Sequence, residues 1–119
     1  MSGFEVTIYH NPGCGTSRSV LAMIREAGIE PKIVEYLKAP PSRAELEKIL
    51  ARAGLKLRDI LRKKAPPYAE MGLDDPALSD DAIFVAIAEH PMLIERPIVV
   101  SPKGARLCRP KEKVFEVLP

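Results

Sequence analysis

The hydrophobic period changes twice between residues 4 and 36, and that change constrains the fold more than any other feature. Residues 4–9 (FEVTIY) are β-branched and aromatic and read as a buried strand. His10-Asn11-Pro12-Gly13 then breaks the chain. From residue 16 to 27 the period becomes helical, with Val20, Leu21, Ile24 and Ala27 on one face and Gly28 placed to end the helix. Residues 31–36, carrying Ile33 and Val34, read as a second strand. A strand, a helix and a strand in so short a span imply a right-handed crossover joining parallel strands.

The remainder extends that unit. Ala39-Pro40-Pro41 closes it, and Ser42 with Glu45 forms a capping box for a helix striped by Leu46, Ile49, Leu50 and Ala53. Leu57, Ile60 and Leu61 suggest a short helix finishing in Arg62-Lys63-Lys64, where cations would suit the helix dipole. Ser79 with Asp80 and Asp81 opens another helix through Ile83, Phe84 and Ile87, stopped before Pro91, with His90 as a capping residue at its end. Residues 98–100 and 105–108 read as a hairpin about Pro102-Lys103-Gly104, and Val114, Phe115 and Leu118 close with a short helix. The order is β-α-β, a helical insertion, then β-β-α. This is the α/β order of a thioredoxin-like fold: a four-stranded mixed sheet flanked by helices. We expect one domain over residues 1–119, its core at 4–37 and 96–118 and the insertion at 42–90.

Composition narrows the function. A length of 119 residues with 46% apolar content suits one self-sufficient core. A formal charge of +2 gives no bulk reason to expect nucleic-acid binding. The longest apolar run, residues 82–88, is far short of the roughly 20 residues that cross a bilayer, so no membrane partner is expected. MSGFEVTIYH shows no signal peptide, and two cysteines make no disulfide framework. A cytoplasmic location follows as an expectation. His10 and His90 are the sole histidines and there is no C-x-x-C pair, so neither a metal site nor a tightly bound cofactor is expected.

Cys14 lies at the strand-to-helix turn, where unpaired N–H groups and partial positive charge stabilise a thiolate. Thiols so placed have pKa values lowered from about 8.5 to roughly 3.5–7.5. Gly13 and Gly15 would clear the approach to the backbone and permit unusual torsions, while Arg18 and His10 would add positive charge. Ser17 stands where a dithiol oxidoreductase has its second cysteine, so an oxidised Cys14 needs an external thiol. Cys108 falls in an expected strand and reads as buried and structural. Arg62, Arg96 and Arg109 each flank a turn or an element end, and their planar forks suit tetrahedral oxyanions. The loop before the third strand should bring Arg96 and Arg109 toward Cys14, and a cis bond before Pro97 would shape it.

Together the strings IYHNPGCGTSR, YLKAPPSRAEL, LRKKAPPY and HPMLIERPIVVSPKGARLCRP closely resemble the arsenate reductases that depend on glutathione and glutaredoxin. The resemblance covers nearly the whole chain; some members extend beyond Pro119, which bears on tail functions alone. It implies that Cys14 is the nucleophile, that His10 helps lower its pKa and that the Ser17 hydroxyl supports the thiolate. It further implies that Arg62, Arg96 and Arg109, with Gly15 and Thr16 at the helix start, bind arsenate. Glutathione would be a co-substrate and glutaredoxin a partner. Two other readings stay open: a glutathione-dependent thiol oxidoreductase of another substrate, and a redox regulator that binds RNA polymerase. Ser17 counts against the regulator, whose relatives carry C-x-x-C.

Overall fold

In the computed structural model, residues 4–119 are described. Strand β1 (Thr7–His10) leads into helix α1 (Gly15–Glu26), which returns the chain to β2 (Lys32–Glu35). The helix stops at Gly28, whose φ of 82° takes the left-handed conformation, and Ile29 N–H reaches back to Ile24 C=O at 3.3 Å. Strands β1 and β2 pair in parallel, as the crossover requires. Strand β3 (Ile98–Ser101) pairs antiparallel with β1 and with β4 (Gly104–Leu107), giving the order β2-β1-β3-β4.

The pleat sorts the core onto two faces. Ile8 lies opposite Val99, and both pack with Val20 and Ile24 of α1 and with Val114, Val117 and Leu118. The adjacent pair, Tyr9 opposite Ile98, points the other way into the insertion, among Leu46, Ile60, Ile83, Ile87 and Leu93. Alternate residues of one strand thus serve separate cores. That arrangement explains why the successive residues Ile8-Tyr9 of β1 and Ile98-Val99-Val100 of β3 are all apolar.

The insertion holds α2 (Arg43–Ala53), a 3-10 turn (Leu57–Ile60), α3 (Pro66–Glu70), α4 (Asp80–Glu89) and a second 3-10 turn (Pro91–Leu93). The Ser42–Glu45 capping box is present, and the Ser79 side chain accepts from Ala82 N–H. His90 ends α4 with its N–H on Ala86 C=O at 2.8 Å. One expectation fails here. The helix at Leu57 ends at Ile60, so Arg62-Lys63-Lys64 does not serve a helix dipole. Leu61 instead forms a bridge with Ile94, Arg62 N–H donates to Leu93 C=O, and Glu95 N–H donates to Ile60 C=O, both at 2.7 Å. This bridge between distant segments competes with the last helical turn and wins, because it also buries Leu61 and Ile94. Helix α3 and the second 3-10 turn are too short to carry a periodic signal in sequence. The closing helix (Lys111–Val117) is 3-10, burying Val114 and Val117 and leaving Phe115 exposed.

Candidate functional site

Cys14 is the N-cap of α1 and is 8% exposed, with its own N–H on Asn11 C=O at 3.0 Å. Burial pushes its thiol up. The backbone N–H groups of Ser17 and Thr16, together with the charge and a hydrogen bond of Arg96, pull it down and prevail. The net effect is a thiol more acidic than usual, held by a helix start and one guanidinium.

Asn11 organises this loop from four sides. Its carbonyl accepts from Cys14 N–H, its Oδ1 accepts from Gly13 N–H at 2.9 Å, and its N–H donates to Ser17 Oγ at 3.1 Å. Its side chain also hydrogen-bonds the buried Tyr36 hydroxyl. Ser17 is fully buried, and its Oγ lies 2.6 Å from His10 Nδ1. Residue 17 therefore acts on the sulfur with its backbone N–H, while its hydroxyl joins His10 to the loop. Burial lowers the His10 pKa, opposed by Glu35 and reinforced by Arg18 and Arg25, so the ring favours its neutral form.

The two loop glycines behave differently from expectation. Neither Gly13 nor Gly15 has a positive φ, so no unusual torsion is used. A Cβ at Gly13 would come within 3.3 Å of Asn11 Oδ1, tight against the oxygen that fixes the loop. At Gly15 a Cβ would meet Arg18 Nη2 at an ordinary 3.8 Å. Arg18 itself turns away to donate to Pro12 C=O at 2.7 Å instead of supplying charge to the sulfur.

Arg62, Arg96 and Arg109 come to one cleft, of which Cys14 is not a lining residue. They line this cleft, of about 710 Å³, with Arg58, Asp59, Leu61, Lys63, Lys64 and Glu95. Arg96 joins this cleft to the thiol. Its side chain is 13% exposed, Nη1 donates to Glu95 at 2.9 Å, and Nε is buried with no hydrogen-bond partner among the described residues. A buried donor left unmet costs about 1–3 kcal/mol. Arg109 Nη1 donates to Arg96 C=O at 3.2 Å, which ties the two arginine loops together. The peptide bonds before Pro97 and Pro110 are both cis. Arg58 donates to the carbonyls of Leu73, Asp75 and Leu78 and so holds the 73–78 loop.

Cys108 is fully buried between the sheet and the last helix, and burial pushes its thiol up to about 12. Sequence reasoning missed Asn11, Tyr36 and Glu95. Burial raises the Tyr36 pKa, while Arg96, Asn11 and Arg62 lower it and Cys14 raises it. A lone Tyr just past a strand carries no signal of such surroundings. Asn11 does carry one, because Asn two residues before Gly is a recurrent side-chain turn.

Residues 9–117 match the ArsC family. An arsenate reductase of Rhizobium meliloti (strain 1021) is 63% identical over 114 residues, 96% of this chain and 81% of that protein. One from Escherichia coli (strain K12) is 54% identical over 115 residues, 97% of this chain and 82% of that protein. Among solved structures, an arsenate reductase from Vibrio cholerae superposes with a TM-score of 0.93 at 47% identity, covering 98% of this chain and all of that one.

Proposed function

The chain belongs to the ArsC family, and from that premise we propose that it reduces arsenate to arsenite, with Cys14 as nucleophile and glutathione and glutaredoxin supplying the electrons. The observation that carries this reading is Arg96, whose charge and hydrogen bond make the Cys14 thiol more acidic and which lines a cleft walled by two further arginines. A doubly charged oxyanion and a thiolate repel each other. Their approach needs fixed positive charge in a water-poor site, which the helix N–H groups and three arginines supply.

In the proposed sequence Cys14 thiolate attacks As(V) and a protonated oxygen leaves as water, forming a Cys14–S–As(V) bond. Glutathione thiol adds to arsenic with loss of a second water. A glutaredoxin thiolate then attacks the glutathione sulfur. The new S–S bond forms as the sulfur–arsenic bond breaks, and its electron pair stays on arsenic as As(III). Hydrolysis releases arsenite and regenerates Cys14. Two thiols are oxidised to one disulfide, matching the two electrons arsenic gains. Ser17 occupies the position of a resolving sulfur, so both oxidised sulfurs come from outside the chain. Such reducing partners imply a cytoplasmic location. Gly15 and Thr16 would meet the oxyanion through their N–H groups.

The test is a coupled assay with arsenate, glutathione, glutaredoxin, glutathione reductase and NADPH. Wild type should oxidise NADPH in proportion to arsenate, and Cys14→Ser should not. Equal rates in the two would overturn the assignment. Arg62→Ala and Arg109→Ala should raise KM for arsenate without unfolding the chain.

A further inference from the structure

The cleft is larger and more positive than one oxyanion requires. Its volume of about 710 Å³ falls in the range of sites that enclose drug-sized ligands, roughly 300–1,000 Å³. A five-atom oxyanion held by Arg62, Arg96 and Arg109 would leave most of it vacant. The walls carry six cations against two carboxylates, a balance of +4, while the whole chain carries +2. Of the six, three belong to the oxyanion site and Arg58 is spent on backbone carbonyls. Lys63 and Lys64 remain, exposed and without ion pair or hydrogen bond among the described residues.

These lysines do not cap a helix, and their backbone is held in place. They form the corner of a turn closed by Ala65 N–H on Arg62 C=O at 3.1 Å. One end is tethered by Arg62 N–H on Leu93 C=O and the other by Ala65, which is 2% exposed. Two ammonium groups are thus carried on a fixed corner next in sequence to an oxyanion arginine, which lowers the ordering cost of binding. Both carboxylates of the cleft are already engaged, Glu95 with Arg96 and Asp59 with Lys56 N–H.

We propose that the Lys63–Lys64 corner is a carboxylate subsite for the thiol reductant, a small thiol bearing two carboxylates such as glutathione. The proposal rests on the arsenate-reductase reading for the identity of the thiol as a co-substrate. Carboxylates seated on the lysines would leave the thiol facing the arginines, where a Cys14-bound oxyanion would stand. A concave site of this size favours a small molecule over an acidic protein surface, which would need a broader face.

The test is calorimetric titration at low salt with S-methylglutathione, which cannot react, so binding is read apart from turnover. Wild type should bind it saturably. The double variant Lys63→Gln/Lys64→Gln should bind roughly tenfold more weakly, as should wild type offered the diethyl ester, because two partly exposed charge pairs are lost. Both lysines are exposed, so thermal melting of the variant should match wild type and exclude misfolding. Equal affinity in the variant, or no saturable binding by wild type, would overturn the subsite. Tighter binding of an acidic peptide than of S-methylglutathione would also overturn it in favour of a protein partner. Binding that follows these expectations in a protein inert toward arsenate would sink the proposed reaction and leave the subsite standing.

Discussion

Replacing Ser17 by Ala separates the two ways in which residue 17 acts. The side chain is fully buried, and its oxygen is shared between His10 Nδ1 at 2.6 Å and Asn11 N–H at 3.1 Å. Alanine leaves both partners unmet while keeping the backbone N–H that faces the Cys14 sulfur. An unsatisfied buried group costs about 1–3 kcal/mol. His10 is buried but Asn11 is only half-buried, and alanine no longer desolvates a hydroxyl, so the expected net loss is about 2 kcal/mol. With a urea slope of about 1–3 kcal/mol per M, the midpoint should fall by about 1 M. The melting temperature should fall by about 8 °C, at about 4 °C per kcal/mol for this size. The pH midpoint of Cys14 alkylation by iodoacetamide should move little. Arg96→Ala should do the reverse: it removes the charge and hydrogen bond on the sulfur, so that midpoint should rise, with alkylation at neutral pH slowed. If Ser17→Ala shifted the alkylation midpoint as far as Arg96→Ala and left the urea midpoint in place, the hydroxyl would be the thiolate's partner. The division of roles between the backbone and the side chain of Ser17 would then be wrong.

Thiol titration with Ellman's reagent should give one fast equivalent in the native protein and a second only in guanidinium, since Cys14 is at a helix start and Cys108 is fully buried; two fast equivalents would contradict the packing around Cys108. The folded His10 pKa lies below its ordinary 6.5, so on acidification the unfolded chain takes up the proton first. Stability should therefore fall as pH drops through 6.5 and level off below the folded pKa, and His10→Asn should shrink the difference in urea midpoint between pH 7.5 and 5.5. Arg58→Ala frees three carbonyls at once and should speed proteolytic nicking within residues 73–78, read by mass spectrometry, with a stability cost of about 1–3 kcal/mol. Nicking at the wild-type rate would show that the loop holds itself.

What the sequence determined by itself depends on neighbours along the chain. The crossover follows from the change of period in residues 4–36, the helix starts from Ser42 and Ser79, and the helix stop from Gly28, because capping and periodicity are local. Cys14 could be picked out for the same reason: a strand-to-helix turn is visible in sequence, and the N–H groups that acidify the thiol belong to the next residues. Tertiary structure alone decided the rest. Arg62, Arg96 and Arg109 share a cleft because the Leu61–Ile94 bridge and the hairpin bring distant segments together, and residues 62 and 109 hold no local record of that. The same bridge moved Arg62-Lys63-Lys64 from a supposed helix end to the wall of the cleft. It also fell to packing to give the Ser17 hydroxyl to His10, to bury Tyr36 beside the arginines and to leave Arg96 Nε unmet. Hydrogen bonding within a turn is set by the order of residues, whereas the convergence of charges from separate segments is set by which surfaces bury one another.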